Sequence, residues 1–496
     1  MKKLKFPTAQ TILILIAVFV TLLTWLVPSG KYDSLAYNAV SNTFTKISLE
    51  ERIELKASQE TLEELNIKIP IEKFTSGDIY KPIGIPNTYK PLESRPQGFS
   101  ALVQSPIKGI IAAADIIFLI LIIGGLIGIM NLTGAFDAGI AWMAKVLKGR
   151  EYILIIVVTT LIALGGTTFG LAEETMAFYP ILIPVFLAAK YDAMVGLSCV
   201  FLGSGIGSMC STVNPFATII ASDAAGINWT TGLNSRIIML LLCTTITIVY
   251  ILLYARRVKV DPSKSLIYEQ KESIEKLFGL GKMDTDIKFT NRLRLITLVF
   301  SLSFIVMIIG VSFLDWWFVE MTATFLVGAI IIGFIAGIKE SEFVAKGAAD
   351  LLSVAFIVGI ARGVTILMED GLISDTILFY ASNITEGMNK GVFANVMLFI
   401  YGGLSFFMPS SSGMAVLTMP IFSPLADTVH IGREIIVDTY LYGMGLFYLI
   451  NPTGLILAAL AIVKIGFNRW LRFVLPLMLI LVLTTMIFLT ITVYAN

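Results

Sequence analysis

The sequence predicts an all-α integral membrane protein of about nine full spans, built as two inverted repeats with two re-entrant hairpins and broken helices. Three observations lead there. Apolar residues make up 56% of the 496 and charged residues 14%, with a mean hydropathy of +0.85; soluble proteins average roughly 45–50% and about 25%. Such a surface cannot be solvated, which excludes a soluble enzyme and a disordered or fibrous chain. Runs of about 20 apolar residues, the length that crosses a hydrocarbon core of about 30 Å, recur along the sequence. The two halves also carry matching polar and proline motifs in the same order. A formal charge of +1 offers no basic surface for nucleic acid. Cys199, Cys210 and Cys243 sit in apolar runs without a CxxC pair, and a single histidine, His430, argues against zinc and general-base chemistry.

Taken in order, full spans are expected near 8–28, 109–131, 193–222, 234–255, 293–313, 317–337, 350–368, 435–463 and 470–494. The first follows Met1-Lys2-Lys3-Leu4-Lys5 and lacks an Ala-x-Ala site, so it reads as a retained helix within 1–28. Residues 29–105 form an extracytoplasmic insertion of balanced charge, helical over Ser48–Asn66 and extended over the proline-rich Lys81–Pro96. Residues 106–255 complete the first repeat, with an interrupted hairpin at 152–189. A cytoplasmic linker follows at 256–292, then a connector helix at 293–313. The second repeat occupies 314–496, with its hairpin at 393–424. Lys and Arg set the orientation. With the N-terminus cytoplasmic, Lys2, Lys3, Lys5, Lys145, Lys148, Arg150, Lys190, Lys339, Lys346, Lys464, Arg469, Arg472 and the linker fall inside. Short outside loops keep only Arg236, Lys390 and Arg433, and the C-terminus ends outside.

The repeat rests on four matches at a nearly constant offset. Ala113-Ala114-Asp115 pairs with Ala348-Ala349-Asp350, and Gly134-Ala135-Phe136-Asp137 resembles Gly371-Leu372-Ile373 with Asp375 close by. Pro180 and Pro184 pair with Pro420 and Pro424, and Asn214-Pro215 with Asn451-Pro452. The orientation makes the two copies antiparallel, as in many transporters. Asp115 and Asp350 then read as carboxylates at helix starts.

Four breaks mark the candidate site: Gly165-Gly166-Thr167-Thr168, Ser211-Thr212-Val213-Asn214-Pro215, Pro409-Ser410-Ser411-Ser412-Gly413 and Asn451-Pro452-Thr453-Gly454. Broken backbone is tolerated in a bilayer only where it faces protein or water. Pro215 and Pro452 each free a carbonyl on the preceding turn. Such carbonyls, with Ser, Thr and Asn oxygens, suit Na⁺, and exposed helix N-termini suit carboxylate. The expected substrate site comprises Gly166, Thr167, Thr168, Glu173, Glu174, Thr175, Asn214, Arg362, Ser410, Ser411, Ser412, Gly413, Asn451 and Thr453. Candidate Na⁺ ligands are Ser211, Thr212, Asn214, Asn451 and Thr453. Glu173, Glu174 and Arg362 carry charge into apolar surroundings, which normally means a polar cavity. A structural ion pair of Arg362 with Asp350 or Glu369 is the alternative, though neither spacing sets the two on neighbouring turns.

Gly165–Pro180 (GGTTFGLAEETMAFYP), Ser211–Ala217 (STVNPFA), Ala348–Gly363 (AADLLSVAFIVGIARG) and Pro409–Gly413 (PSSSG) resemble the anaerobic C4-dicarboxylate carrier (DcuC-like) family. The closer likeness is to its YfcC-type branch, which includes arginine/ornithine antiporters. The resemblance spans nearly the whole chain apart from the two soluble loops. It implies the ion transporter superfamily fold, a bacterial cytoplasmic (inner) membrane, a homodimer and elevator-type alternating access. Segment 29–105 has no counterpart in these motifs.

The residues therefore point to a secondary active transporter for a small charged metabolite, with no cofactor beyond Na⁺ or H⁺ as a coupling ion. An intramembrane hydrolase lacks HExxH, a channel fits poorly with a lone arginine and an acid pair, and no Walker A sequence is present. An amino acid with a cationic side chain suits Glu173 and Glu174 as acids and Ser410–Ser412 and Arg362 as donors. A C4-dicarboxylate remains the alternative, if both glutamates are neutral or paired.

Overall fold

The computed structural model describes residues 7–49, 51–77, 79, 81–135, 138, 149–278, 290–314, 316–337, 340–385 and 387–495. Phe136-Asp137 of the repeat match, and Lys2, Lys3, Lys5, Lys145, Lys148 and Lys339 of the charge count, lie outside those residues, as do the side chains of Lys346 and Asp350.

Helix α1 (Ala9–Leu26) opens the chain, capped by Thr8, whose hydroxyl accepts the Thr11 N–H. An antiparallel β unit follows: β1 (Gly30–Lys31), β2 (Ser34–Asn38), β3 (Thr43–Ile47) and β4 (Arg52–Lys56), with α2 (Gln59–Glu64) and α3 (Glu72–Thr75), then β5 (Ile83–Gly84) and β6 (Lys90–Pro91). The strands form a four-stranded sheet in the order β4-β3-β2-β5 and a separate β1-β6 pair. Leu35, Phe44, Leu62, Phe74 and Ile83 are buried beneath it. This corrects the helix expected over Ser48–Asn66, of which only α2 is helical. Arg52-Ile53-Glu54-Leu55-Lys56 alternates polar and apolar side chains, the period of a strand, although Glu, Leu and Lys are good helix formers.

Helix α4 (Phe99–Ala112) starts inside the expected insertion, and α5 (Ala114–Thr133) follows after a break at Ala113. Next come α6 (Tyr152–Phe169) and α7 (Tyr179–Ala188), joined by a tight 3-10 turn over Glu173–Ala177, and then α8 (Ala193–Met209). A wide turn over Pro215–Ile219 leads into α9 (Ile220–Ala224) and α10 (Leu233–Val260). The short α11 (Lys271–Leu277) lies in the linker, and α12 (Asn291–Phe313) stands where a connector was expected. The second half contains α13 (Phe318–Ala336), α14 (Glu340–Gly371), α15 (Ser374–Ile384), α16 (Lys390–Phe407), α17 (Ser411–Thr428), α18 (Arg433–Tyr448), α19 (Ile456–Val463) and α20 (Phe467–Ala495).

The halves follow the same order, α1 with α13, α4–α5 with α14, the hairpin α6–α7 with α16–α17, the broken pair α8–α9 with α18–α19, and α10 with α20, while α15 has no counterpart among the described residues. Among the described residues, nine helices are long and apolar enough to cross a membrane. The set differs from the expected one. Segments 193–222 and 435–463 are not single spans, because Asn-Pro breaks each into α8–α9 and α18–α19. The leading hairpin arms α6 and α16 take their places among the nine. Asp350 lies inside α14 rather than at a helix start, whereas Asp115 is in the first turn of α5.

Helices α4 and α5 run antiparallel to α14 along a glycine seam. Gly109 lies against Gly359 and Gly363, and Gly124 against Gly347, so that a methyl group at Gly109 or Gly124 would strike the opposite backbone. Two bodies result. In one, α1, α4, α5, α12, α13 and α14 pack together, with Leu119, Ile123, Phe300, Phe304 and Phe325 buried between α5, α12 and α13. In the other, α6 lies on α8 and α16 on α18, and Phe201, Tyr401, Tyr440 and Trp470 are buried among them.

Candidate functional site

The two hairpins bring their tips to one place. In the first, α6 ends at Gly170, whose φ of +75° is the left-handed conformation glycine favours; the Asn214 amide fills the space beside it. Glu173 and Glu174 then open the 3-10 turn. Glu174 is buried, and its carboxylate accepts the Ala172 N–H at 3.1 Å. In the second hairpin, α16 ends at Phe407, and Ser410 caps α17 by accepting the Gly413 N–H at 3.2 Å. The first turn of α17 therefore presents N–H groups that have no carbonyl one turn earlier.

Each broken helix is stitched to the hairpin of its own half. The Thr212 N–H donates to the Thr167 hydroxyl at 3.0 Å, and the Thr167 hydroxyl donates to the Cys210 carbonyl at 2.9 Å. Asn214 accepts the Phe216 N–H at 2.8 Å, capping the turn that Pro215 starts. In the second half, the Asn451 amide donates to the Ser405 carbonyl at 2.8 Å and accepts the Thr453 N–H at 2.9 Å. The Thr453 hydroxyl donates to the Phe406 carbonyl at 2.9 Å. These bonds give partners to N–H and carbonyl groups that the breaks take out of the helical ladder in an apolar interior.

A cavity of about 380 Å³ lies between the two bodies, within the roughly 300–1,000 Å³ range of small-molecule sites. Glu173, Glu174, Asn214, Arg362, Ser410, Ser411, Ser412, Asn451 and Thr453 line it, all of them expected from sequence. Gly413 lines an outer vestibule of about 390 Å³, which shares Lys81, Arg362, Pro409 and Ser410 with the inner cavity. Gly166, Thr167, Thr175, Ser211 and Thr212 stand behind the walls, whereas Thr168 is exposed and does not line the cavity. Gly166 packs on the Ser204 carbonyl and Gly207, and the Thr168 hydroxyl donates to the Leu164 carbonyl at 2.6 Å. Thr175 donates to the Ala172 carbonyl, and Ser211 shares its hydroxyl with Thr218. The oxygens suggested for Na⁺ are hard ligands. They form two groups, one on each broken helix, and each oxygen is already held in a hydrogen bond within the protein.

Arg362 is 37% exposed, as a side chain facing a cavity should be, and its guanidinium lies a loose 4.0 Å from Glu369. Sequence reasoning missed Asp115, Trp316, Trp317 and Tyr448 as lining residues. The tryptophan pair before α13 was the available signal. It also missed a buried ion pair outside the cavity. Arg236, counted as a loop charge, is fully buried and meets Asp438 of α18 at 3.1 Å, with a further bond to the Trp229 carbonyl at 3.0 Å.

The sequence matches the family described as C4-dicarboxylate anaerobic carrier, DcuC, over residues 6–494. An uncharacterized protein of Haemophilus influenzae is 43% identical over 99% of this chain and 98% of its own length. An Escherichia coli K12 protein, provisionally named basic amino acid antiporter YfcC, is 28% identical over 94% of this chain and 92% of its own. Among solved structures, MtrF of Neisseria gonorrhoeae, from a class of antimetabolite efflux pumps, aligns over 99% of this chain and 96% of its own. That alignment has 14% identity and a TM-score of 0.40, too loose to carry an argument. The chain belongs to the C4-dicarboxylate anaerobic carrier (DcuC) family of membrane transporters.

Proposed function

We propose that this protein is a secondary active antiporter of small amino acids, with arginine and ornithine as the leading pair. One observation carries the reading: a single cavity has two glutamates, Glu173 and Glu174, and a guanidinium beside the first turn of a helix, Arg362 with Ser410–Ser412, in its walls. A zwitterion with a cationic side chain answers both signs at once. A dicarboxylate would meet Arg362 favourably but would be repelled by two ionised glutamates, at about 1 kcal/mol or more each at an effective dielectric near 20. The basic amino acid antiport named for the Escherichia coli relative agrees with this assignment.

A cavity between two packed bodies supports elevator-type alternating access, in which the body carrying both hairpins slides against the other; a homodimer is what the family resemblance implies. The Lys and Arg distribution supports a bacterial inner membrane with the N-terminus cytoplasmic and the β unit outside. The family's name keeps a second reading in view, a C4-dicarboxylate carrier coupled to Na⁺ or H⁺.

Counterflow tests the assignment. Proteoliposomes loaded with arginine are expected to take up external labelled ornithine saturably, only when arginine is inside, and without competition from succinate. Exchange of succinate or fumarate, with indifference to cationic amino acids, would establish the dicarboxylate reading instead.

A further inference from the structure

The β unit between α1 and α4 is tied to both bodies. Towards the end of α14, the Ser29 hydroxyl donates to the Gly371 carbonyl at 2.9 Å, and the Gly30 N–H to the Leu372 carbonyl at 2.9 Å. Towards the hairpin-bearing body the contacts are ionic. Lys73 meets the buried Asp223 of α9 at 2.9 Å, and Lys68 meets Asp427 at 2.8 Å. Arg433 and then Lys68 hold the Asp427 carboxyl down at about 2. Strand β5 also lies on α17, with Gly84 in contact with Leu417.

At that junction a side chain of the β unit reaches the candidate site. Lys81 is half-buried, and its ammonium donates to the Ser412 hydroxyl at 2.7 Å, in the first turn of α17. It lines both the vestibule and the inner cavity, as Arg362 does. Burial, and then the neighbouring Arg362 guanidinium, push the Lys81 ammonium down from its ordinary value. Two cationic side chains and the first turn of α17 thus line one cavity, and a carboxylate placed among them would be attracted by all three.

We propose that Lys81 is a substrate-binding residue: with Arg362 and the Ser410–Ser412 turn it holds a carboxylate of the transported solute, so the β unit completes the site from outside. This rests on the carrier reading above. The chemistry recognised is a carboxylate, whether of an amino acid or of a dicarboxylate.

The test uses the full-length protein in proteoliposomes, with ornithine as substrate and putrescine, the same diamine without its carboxylate, as competitor. Lys81→Met is expected to raise the half-saturating ornithine concentration about tenfold or more, the usual effect of losing a hydrogen bond to a charged group. Inhibition by putrescine should stay at its wild-type strength, and Lys81→Arg should recover most of the affinity for ornithine. If Lys81→Met aggregates, Lys81→Gln keeps a donor for Ser412 and is held to the same criteria. Wild-type half-saturation in the variant would overturn the proposal, as would equal weakening of ornithine and putrescine, which marks a purely structural contact. If succinate proves to be the solute carried, the tenfold loss applies to succinate. A wild-type protein that exchanges none of these solutes overturns the carrier reading itself, before any variant is made.

Discussion

Glu174→Gln is expected to cut ornithine counterflow at least about tenfold while leaving the protein folded. Glutamine keeps a carbonyl that can accept the Ala172 N–H, so the 3-10 turn at the tip of the first hairpin retains its hydrogen bond. What disappears is one negative charge in the wall of the cavity. At about 4 Å and an effective dielectric of 20, an ion pair is worth roughly 4 kcal/mol. A third of that already accounts for a tenfold change in affinity. The measurements are initial uptake against ornithine concentration and the thermal midpoint in detergent. Counterflow at the wild-type level with an unchanged midpoint would remove Glu174 from the site.

Arg236→Met is expected to have the largest effect on stability. Arg236 and Asp438 are both buried, and their ion pair joins the start of α10 to α18. Removing the arginine leaves a carboxylate without its partner in a low-dielectric interior, at a cost of about 3–5 kcal/mol. The thermal midpoint in detergent should fall accordingly. The double substitution Arg236→Met with Asp438→Leu should restore most of the loss, because two apolar groups need no partner. If the double variant is no better than the single one, the lost stability comes from packing or from the bond to the Trp229 carbonyl.

The breaks were legible because they combine residues that polypeptide chemistry seldom places together in an apolar span. Asn214-Pro215 and Asn451-Pro452 announce a missing N–H, a freed carbonyl and an amide able to cap the next turn, and the structure uses them so. Less legible was that these breaks split two of the expected spans. Hydropathy averages over a window, so the few polar residues at each break, Ser211-Thr212 and Asn451, are outweighed by the apolar runs on either side.

The β unit was misread for another reason. In Arg52–Lys56 the helix propensity of Glu, Leu and Lys opposes the alternation of polar and apolar side chains, and pairing with Thr43–Ile47 settles the conflict in favour of the strand. Asp223 and Asp438, acids beside or within apolar runs, were visible signals of buried partners. Their partners Lys73 and Arg236 come from distant elements, which spacing along the chain cannot reveal. Lys81 was hidden in the same way: nothing near Lys81–Pro96 points to Ser412, and only the fold brings them together.

On the proposed function, the cavity between the two bodies is the transport site, entered past Ser410 from the outside. The native cysteines Cys199, Cys210 and Cys243 are buried, so a cysteine placed at the exposed Ser410 can be followed by labelling against a quiet background. In sealed, right-side-out vesicles the Ser410→Cys variant should react with a membrane-impermeant maleimide from the outside, and external ornithine should slow that reaction in proportion to its occupancy. Labelling that no exchanged solute slows, or that proceeds only from the cytoplasmic side, would contradict the account.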